Sequence, residues 1–262
     1  MIAETRTGES LIEAPAMFVA PEVRSAAPIT LGRVDMVVAE VREAPLAKLR
    51  DPIWLQYYLL PRLGLNGEIL NEFPEELYPW CGFGVRSWQY PSQFSKYLVY
   101  LSGKQIRTYL EIGCRHGGTF IITAEYLKRF NNLQVACALD IEESGIMREY
   151  KRREPGVVYA LLSSGSKEGK QLVRQMRWDL ALIDGDHAYD ACSSDYETLR
   201  DHARVIALHD IVSDACPGVK QLWQELKRAV PLLRREEFVD QYENVVTRTG
   251  QKFLGMGVVD FS

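Results

Sequence analysis

The chain has 262 residues, of which 47% are hydrophobic and 25% are charged, a composition typical of a globular protein and unlike that of a disordered, fibrous or membrane chain. Its 31 basic and 35 acidic residues give a net charge of -4, which argues against nucleic acid as a partner. The five cysteines are widely scattered and form neither a CxxC metal site nor a disulfide ladder, and no basic stretch followed by an apolar run opens the chain. We therefore expect a cytoplasmic protein without a membrane segment.

The first 90 residues form two segments with different compositions. Residues 1–50 contain four prolines between short apolar pieces, which favours an extended N-terminal arm over a packed domain. Residues 51–90 are rich in aromatic residues and are interrupted by further prolines. We interpret this second segment as a helical cap, which either encloses a small apolar core or acts as a substrate-binding lid.

From residue 91 to residue 262, apolar runs of strand length alternate with amphipathic runs of helix length, a pattern typical of βαβ units around a parallel sheet. Five strands are predicted at 108–112, 135–139, 157–162, 180–183 and 205–208. Helices are predicted at 92–101, 118–130, 144–152, 166–177, 189–202 and 217–229. Two further strand-like runs, 245–248 and 253–259, have no helix between them and predict an antiparallel C-terminal hairpin. We expect an α/β domain with a doubly wound, seven-stranded sheet.

A glycine-rich turn joins the first predicted strand to its helix. The strand ends with Glu111, Ile112 and Gly113, and Gly117 and Gly118 open the helix. Gly113 can adopt a positive φ, and the glycine pair removes Cβ atoms where the helix approaches the sheet and a ligand. Free N–H groups at the helix start favour an anionic ligand. The turn is either a ligand-binding loop or a tight structural turn.

An acidic residue, Asp140, ends the second predicted strand. At this edge of the sheet its carboxylate can accept both hydroxyls of a ribose, although it could also be a charge at a helix N-terminus. The spacing Glu-x-Gly-x-x-x-Gly-Gly differs from the Gly-x-Gly-x-x-Gly of nicotinamide dinucleotide sites. A smaller nucleoside ligand is therefore predicted.

Taken together, these motifs resemble those of class I S-adenosylmethionine-dependent methyltransferases, over the chain from about residue 88 to the C-terminus. Within that class the sequence is similar to the group of macrolide sugar and rhamnosyl O-methyltransferases and cephalosporin-hydroxylase-like proteins. The resemblance is carried by residues 111–118, 140, 180–189, 208–211, 218–223 and 255–259. It implies a Rossmann-like fold, S-adenosyl-L-methionine as the cofactor, a small-molecule substrate and, as in many relatives, a homo-oligomer.

The resemblance also implies the residues that contact the cofactor. The glycines would face its methionine and ribose parts, Asp140 its ribose, and the two serines after the third strand its adenine. Gln89 would touch its amino-acid end, and Glu111 would either support the glycine turn or meet the amino group of the cofactor. Arg115 or His116 either contacts its carboxylate or points to solvent. The implied cofactor-binding set is Gln89, Glu111, Gly113, Gly117, Gly118, Asp140, Ser163, Ser164 and Asp184.

The sequences that follow the fourth and fifth strands supply the candidate catalytic residues. Asp184, Asp186 and His187 follow one strand and His209 and Asp210 follow the next, so all five are expected at one edge of the sheet. His187 is the candidate general base, because an imidazole is neutral near pH 7, although it could instead cap the next helix. The predicted catalytic set is His187, Asp184 and His209, with Asp186 either orienting His187 or lining the pocket.

Asp184 and Asp210 are candidate ligands for Mg²⁺ or another divalent cation. Metal-dependent relatives carry an acidic residue at the position of His209, and an imidazole there suits Mn²⁺ or another transition metal better than Mg²⁺. Metal-free base catalysis is the alternative, with Asp184 as a hydrogen-bonded carboxylate and Asp210 as a turn residue.

The function predicted from these residues is O-methylation of a small-molecule hydroxyl, on a sugar of a natural product or glycan. Two alternatives remain open. One is a cephalosporin-hydroxylase-like protein on the same fold, and the other is a methyltransferase-like domain that binds a nucleoside without catalysis.

Overall fold

A computed structural model describes residues 34–229 and 234–262. Their strands form one seven-stranded sheet with the order β3-β2-β1-β4-β5-β7-β6. The strands are β1 (Thr108–Ile112), β2 (Val135–Asp140), β3 (Val157–Leu161), β4 (Trp178–Ile183), β5 (Ala203–Leu208), β6 (Arg234–Phe238) and β7 (Met256–Asp260). The first five are parallel, and β7 pairs antiparallel with both β5 and β6. This is the doubly wound, Rossmann-like α/β fold with antiparallel C-terminal strands that the sequence predicts.

Helices cover both faces of the sheet. They are α1 (Val34–Glu43), α2 (Leu46–Leu49), α3 (Pro52–Trp54), α4 (Leu60–Leu63), α5 (Pro91–Ser102), α6 (Gly118–Phe130), α7 (Gly145–Arg153), α8 (Lys167–Arg174), α9 (Tyr189–Leu199), α10 (Pro217–Ala229) and α11 (Glu243–Thr249). One apolar cluster joins α1, α5, α6 and α7 to one face, and a second joins α8, α9 and α10 to the other. Because the central strands are covered on both faces, they are continuous apolar runs, which is why the sequence predicts them well. None of the described helices has the length and apolar character needed to cross a membrane.

The N-terminal prediction is wrong for the part of residues 1–50 that the structure describes. Instead of an extended arm, residues 34–49 contain α1 and α2. Four valines of α1, at 34, 37, 38 and 41, recur at helical spacing and are buried against α6 and α7. Residues 1–33, which carry the rest of the predicted arm, lie outside the described residues.

The C-terminal hairpin is also predicted at the wrong place. Its first strand was expected at 245–248, but these residues belong to α11, which ends at a left-handed Gly250. The antiparallel partner of β7 is instead β6, residues 234–238. Its sequence, Arg-Arg-Glu-Glu-Phe, is polar because β6 lies at the edge of the sheet and is largely exposed.

The aromatic segment 51–90 forms a cap built from short helices and turns. After α3 the chain makes a π-helical turn (Leu55–Leu59) and then α4, and two 3₁₀ turns follow at Leu70–Glu72 and Glu75–Trp80. A third apolar cluster, which includes Leu65, Phe73 and Trp80, fills the cap and also takes in Val245 and Phe253 from the C-terminal segment. The predicted small apolar core therefore exists, and it is shared with residues outside the cap.

Candidate active site

A cavity of about 660 Å³ lies at the carboxyl edge of the parallel strands, beneath the cap. Residues that follow β1 to β5 form its floor, and four cap residues, Ile69, Glu72, Arg86 and Trp88, form part of its wall. This is the usual position of a ligand in an open α/β sheet, and the volume suits a small-molecule cofactor with part of a substrate.

The glycine turn after β1 fits closely against the neighbouring strand and the cap. Gly113 has φ +82°, and a Cβ atom there would lie 2.2 Å from the carbonyl oxygen of Asp184. A Cβ atom at Gly118 would lie 2.4 Å from the backbone nitrogen of Ser87. Both glycines line the cavity. Gly117 does not line the cavity, and a Cβ atom there would lie 2.4 Å from the sulfur of Met147, so the contact predicted between Gly117 and the cofactor stays a prediction.

Asp140 holds the glycine turn in place. Its Oδ2 accepts hydrogen bonds from the backbone N–H groups of Cys114 at 2.8 Å and Arg115 at 2.6 Å, and its Oδ1 accepts one from Glu142 at 2.9 Å. The helix-terminus alternative for Asp140 is wrong, because Ser144 caps α7. The Asp140 carboxylate still lines the cavity, and its remaining lone pairs can accept hydrogen bonds from a ligand.

Glu111 is fully buried at the end of β1 and lines the cavity. Tyr109 donates its hydroxyl hydrogen bond to Oε2, whereas Oε1 has no hydrogen-bond partner among the described residues. Burial raises the pKa of Glu111 well above its usual range. A buried oxygen without a partner is costly, so this atom is prepared for a ligand that donates a hydrogen bond or carries positive charge.

The predicted acidic and imidazole cluster is brought together after β4 and β5. The Nδ1 atom of His209 lies 2.9 Å from Oδ1 of Asp184 and 3.2 Å from Oδ2 of Asp210. Burial alone would lower the pKa of His209, but the charges of the two aspartates outweigh it and raise the pKa well above its usual range. Burial likewise would raise the pKa of Asp210, yet His209 and His187 hold it well below its usual range.

His187 completes this cluster. Its Nε2 atom lies 3.1 Å from Oδ2 of Asp210 and 3.6 Å from Oδ1 of Asp184, and 43% of the side chain remains exposed. Hydrogen bonds with Asp184, Asp210 and Cys216 raise the pKa of His187 well above its usual range. The helix-cap alternative for His187 is wrong, because its imidazole turns toward the aspartates. Asp186 instead accepts the N–H of Ala188 at 2.9 Å at the start of α9.

This donor set fits a divalent cation. Asp184, His209 and Asp210 each offer one ligand atom, and these atoms lie within 4.8 Å of one another. Asp210 is held at φ +62°, a left-handed conformation that is uncommon outside glycine, and its carboxylate is buried against the two imidazoles. Two carboxylate oxygens and one imidazole nitrogen suit Mn²⁺ or another transition metal better than Mg²⁺.

The remaining predicted cofactor contacts are those of Ser163, Ser164 and Gln89. Ser163 and Ser164 line the cavity as predicted, and Ser164 donates to Asp195 at 3.1 Å. Gln89 is 1% exposed and does not line the cavity, and its amide atoms have no hydrogen-bond partner among the described residues, so the cofactor contact predicted for it stays a prediction. Its neighbour Trp88 lines the cavity instead.

Several wall residues were not predicted from the sequence. Ile141, which directly follows Asp140, is 75% exposed and presents an apolar side chain to the cavity. Glu72 accepts the indole N–H of Trp88 at 2.8 Å, and burial raises its pKa. Arg86 has no sequence signal of its own. Ile141 could have been predicted as a wall residue, because it is an apolar residue that directly follows the aspartate at the end of β2.

Comparisons with known proteins agree with this geometry. Residues 110–211 match the family model described as a methyltransferase domain. No curated protein matches the chain. Among solved structures, the chain is similar to cofactor-bound Rv0187 from MTB, with 17% identity over 65% of this chain and 80% of that chain and a TM-score of 0.49.

Two further structures are similar over a comparable part of the chain. MycE methyltransferase from the mycinamycin biosynthetic pathway, in complex with Mg and SAH, shares 16% identity over 68% of this chain and 50% of that chain, with a TM-score of 0.44. The CMeT domain of the citrinin polyketide synthase shares 14% identity over 66% and 52%, with a TM-score of 0.45.

The family match spans β1 to β5, the five strands whose carboxyl ends form the cavity. Three of the residues that carry the resemblance, Gly113, Asp140 and Asp184, meet in that cavity. Residues 110–211, the part of the chain that matches the methyltransferase-domain model, therefore supply most of the residues that line the cavity.

Proposed function

We propose that this protein is an S-adenosylmethionine-dependent methyltransferase that methylates a hydroxyl group of a small molecule, on a sugar of a natural product or glycan. One observation carries the proposal: the cluster of Asp184, His187, His209 and Asp210 lines the same cavity as the glycine turn. A hydroxyl held by this cluster would lie beside the cofactor. Carboxylates and imidazoles together can bind several hydroxyls of one sugar, and the net charge of -4 supports a small molecule rather than nucleic acid as the acceptor.

His187 is the proposed general base. Methyl transfer is an in-line displacement from a sulfonium, and a neutral hydroxyl is a poor nucleophile until its proton is removed. The exposed imidazole can reach a substrate, while Asp210, 3.1 Å away, orients the ring. Because the aspartates raise its pKa, His187 keeps its own proton at neutral pH unless their charge is compensated.

Asp184, His209 and Asp210 are the proposed ligands of a divalent cation. When bound, such a cation supplies polarisation of the acceptor hydroxyl oxygen. Neutralising the two aspartates would also lower the pKa of His187 toward its ordinary value of about 6.5, so that the imidazole is free to accept a proton. The metal and base hypotheses thus support each other through the same two carboxylates.

The remaining contacts position the cofactor. Asp140 would bind the ribose hydroxyls, and Ser163 and Ser164 would lie near the adenine. Gly113 and Gly118 line the cavity, and both approach neighbouring backbone too closely to carry a side chain, so glycine at these positions keeps the turn packed against the end of β4 and the cap.

Calorimetry and mass analysis of products test the proposal together. We expect micromolar binding of S-adenosylmethionine and S-adenosylhomocysteine, and a methyl-sized mass gain on a sugar acceptor when hydroxylated compounds are supplied with the cofactor. If the protein binds neither S-adenosylmethionine nor S-adenosylhomocysteine, the proposal is contradicted. An oxygen-sized gain would instead indicate a hydroxylase.

The base is tested by His187→Ala, with His202→Ala as the matched control. His202 lies at the opposite end of β5 from His209, outside the cavity wall. We expect His187→Ala to reduce turnover by about 10²–10⁴-fold while the affinity for S-adenosylhomocysteine is kept, and His202→Ala to leave both unchanged. If a divalent cation is bound, its removal by a chelator should raise the pH at which turnover increases, because the pKa of His187 is then no longer lowered. Added Mn²⁺ should restore the original pH dependence. Full turnover of His187→Ala would reject the base assignment.

A further inference from the structure

The cationic side chains that line the cavity differ in whether they already face an acid. Arg115 and His116 share the carboxylate of Glu68, and the Nε2 atom of His116 lies 2.5 Å from it. The two histidines of the catalytic cluster face Asp184 and Asp210. Among the described residues, Arg86 is the lining cation for which no carboxylate partner is found.

Arg86 also combines two unfavourable local features. Its backbone has φ +56°, in the left-handed region that side chains avoid. Its Nε atom is buried and has no hydrogen-bond partner within the described part of the chain. Backbone strain and unpaired buried donors are costly, and they are concentrated at sites that bind ligands. A guanidinium pairs best with a planar anion such as a carboxylate.

The position of Arg86 indicates which part of a ligand it would meet. The residues on either side of it pack on the start of α6, since a Cβ atom at Gly118 would lie 2.6 Å from the Val85 oxygen and 2.4 Å from the Ser87 nitrogen. No side chain of the described residues caps this helix, so its first N–H groups add positive potential there.

S-adenosylmethionine matches this distribution of charge. Its amino-acid end carries one carboxylate and one ammonium group, and its ribose is assigned above to Asp140. The cavity offers the guanidinium of Arg86 for the carboxylate, and the unpartnered Oε1 of buried Glu111 for the ammonium. Arg115 and His116, considered for the carboxylate from the sequence, are already engaged by Glu68.

We propose that Arg86 binds the carboxylate at the amino-acid end of the cofactor, an inference that rests on the proposed function. The cap, which supplies Arg86, is then part of the cofactor site as well as the wall facing the acceptor.

Calorimetry with two nucleosides tests this assignment. S-adenosylhomocysteine carries the amino-acid end, whereas 5′-methylthioadenosine lacks it. We expect Arg86→Met to weaken S-adenosylhomocysteine by about 10- to 100-fold, the loss typical of a hydrogen-bonded charge pair, and to change methylthioadenosine less than twofold. Arg86→Lys should recover part of the loss, because it keeps the charge.

Arg86→Gly provides a second variant that is expected to fold. Glycine adopts a positive φ without strain, so we expect the ligand-free thermal midpoint to rise by roughly 2–4 °C while the affinity for S-adenosylhomocysteine falls as in Arg86→Met. A purely structural role for Arg86 would not combine greater stability with this selective loss.

The outcomes separate the two proposals. If the wild-type protein binds neither nucleoside, the proposed function fails. If it binds both and the Arg86 variants bind S-adenosylhomocysteine as the wild type does, the assignment of Arg86 alone is overturned. Selective loss in Arg115→Met but not in Arg86→Met would equally overturn it.

Discussion

At the scale of single residues, the turn after β1 requires a residue without a Cβ atom at position 113. Its φ of +82° and the 2.2 Å that would separate a Cβ atom from the Asp184 carbonyl are independent obstacles to a side chain. The same close approach places the glycine turn beside the aspartate cluster. The close packing of this turn against the end of β4 therefore fixes the distance between the glycine turn and the aspartate cluster.

Gly113→Ala should consequently lower the free energy of unfolding by about 2–4 kcal/mol, from backbone strain and from the displaced β4 end together. Gly250→Ala is the matched control, since Gly250 has φ +70° but an added Cβ atom there meets nothing within 4 Å. We expect the control to lose only about 1 kcal/mol. Urea unfolding of both variants measures the difference, and equal losses would show that crowding at Asp184 is unimportant.

At the scale of elements, α1 shows where sequence patterns mislead. Its valines recur with helical spacing, yet the prolines between short apolar pieces favoured an extended chain. Ion pairs with other elements anchor α1. Arg42 pairs with Glu125 of α6 at 2.7 Å and with Glu154 after α7 at 2.6 Å. Such partners, distant in sequence, are invisible to local propensity.

Arg42→Met should lower the free energy of unfolding by about 1–3 kcal/mol at pH 7, because it removes one partner of the buried Glu125. Arg148→Met, at an exposed pair with Glu143, is the control and should change it by less than about 0.5 kcal/mol. Chemical denaturation of both variants measures these changes. An equal effect in the two would contradict the anchoring of α1.

The loss at Arg42 should also depend on pH. Burial alone would raise the pKa of Glu154, but hydrogen bonds from Lys128 and Arg42 outweigh it and lower the pKa. A carboxyl group with a lowered folded-state pKa contributes stability above its unfolded pKa of about 4.5 and loses it as the pH falls. The difference between wild type and Arg42→Met should therefore shrink between about pH 5 and pH 3.

The C-terminal strands show the same limit at the opposite edge of the sheet. Residues 245–248 include two adjacent valines, and β propensity favoured a strand there, whereas Gly250 in fact ends a helix. β6 has the exposed, charged sequence of a surface segment and is recognised only through its backbone pairing with β7. In contrast, β1 to β5 were predicted within two residues at each end, because burial on both faces leaves a continuous apolar run.

At the scale of the whole molecule, the topology explains which site residues could be predicted. Asp140, Asp184 and Asp210 each come at or just after the carboxyl end of a parallel strand, so recognising the strands placed these residues together. Glu72 and Arg86 reach the cavity through an irregular cap, where no period predicts which side chains point inward. The floor of the site was thus predictable and its roof was not.

Hydrogen–deuterium exchange can test this arrangement across the chain. Saturating S-adenosylhomocysteine should slow exchange at the strand ends and adjoining loops, residues 113–118, 140–142 and 184–188, and at cap residues 85–88. The edge strand β6, far along the sheet from β1, should exchange as before. Protection confined to β6 and α11 would place the ligand elsewhere.

The apolar cluster shared by the cap and the C-terminal segment bears on how new acceptor specificities could be engineered. Phe73 and Trp80 pack with Val245 and Phe253, and Arg248 donates to the Phe73 carbonyl at 2.8 Å. Exchanging residues 64–90 alone with those of another protein would expose the part of that cluster that the C-terminal segment contributes and would remove the native partner of this hydrogen bond. A chimaera that transfers residues 242–254 along with the cap would keep the interface intact, so these two segments, remote in sequence, form a single module for transplantation.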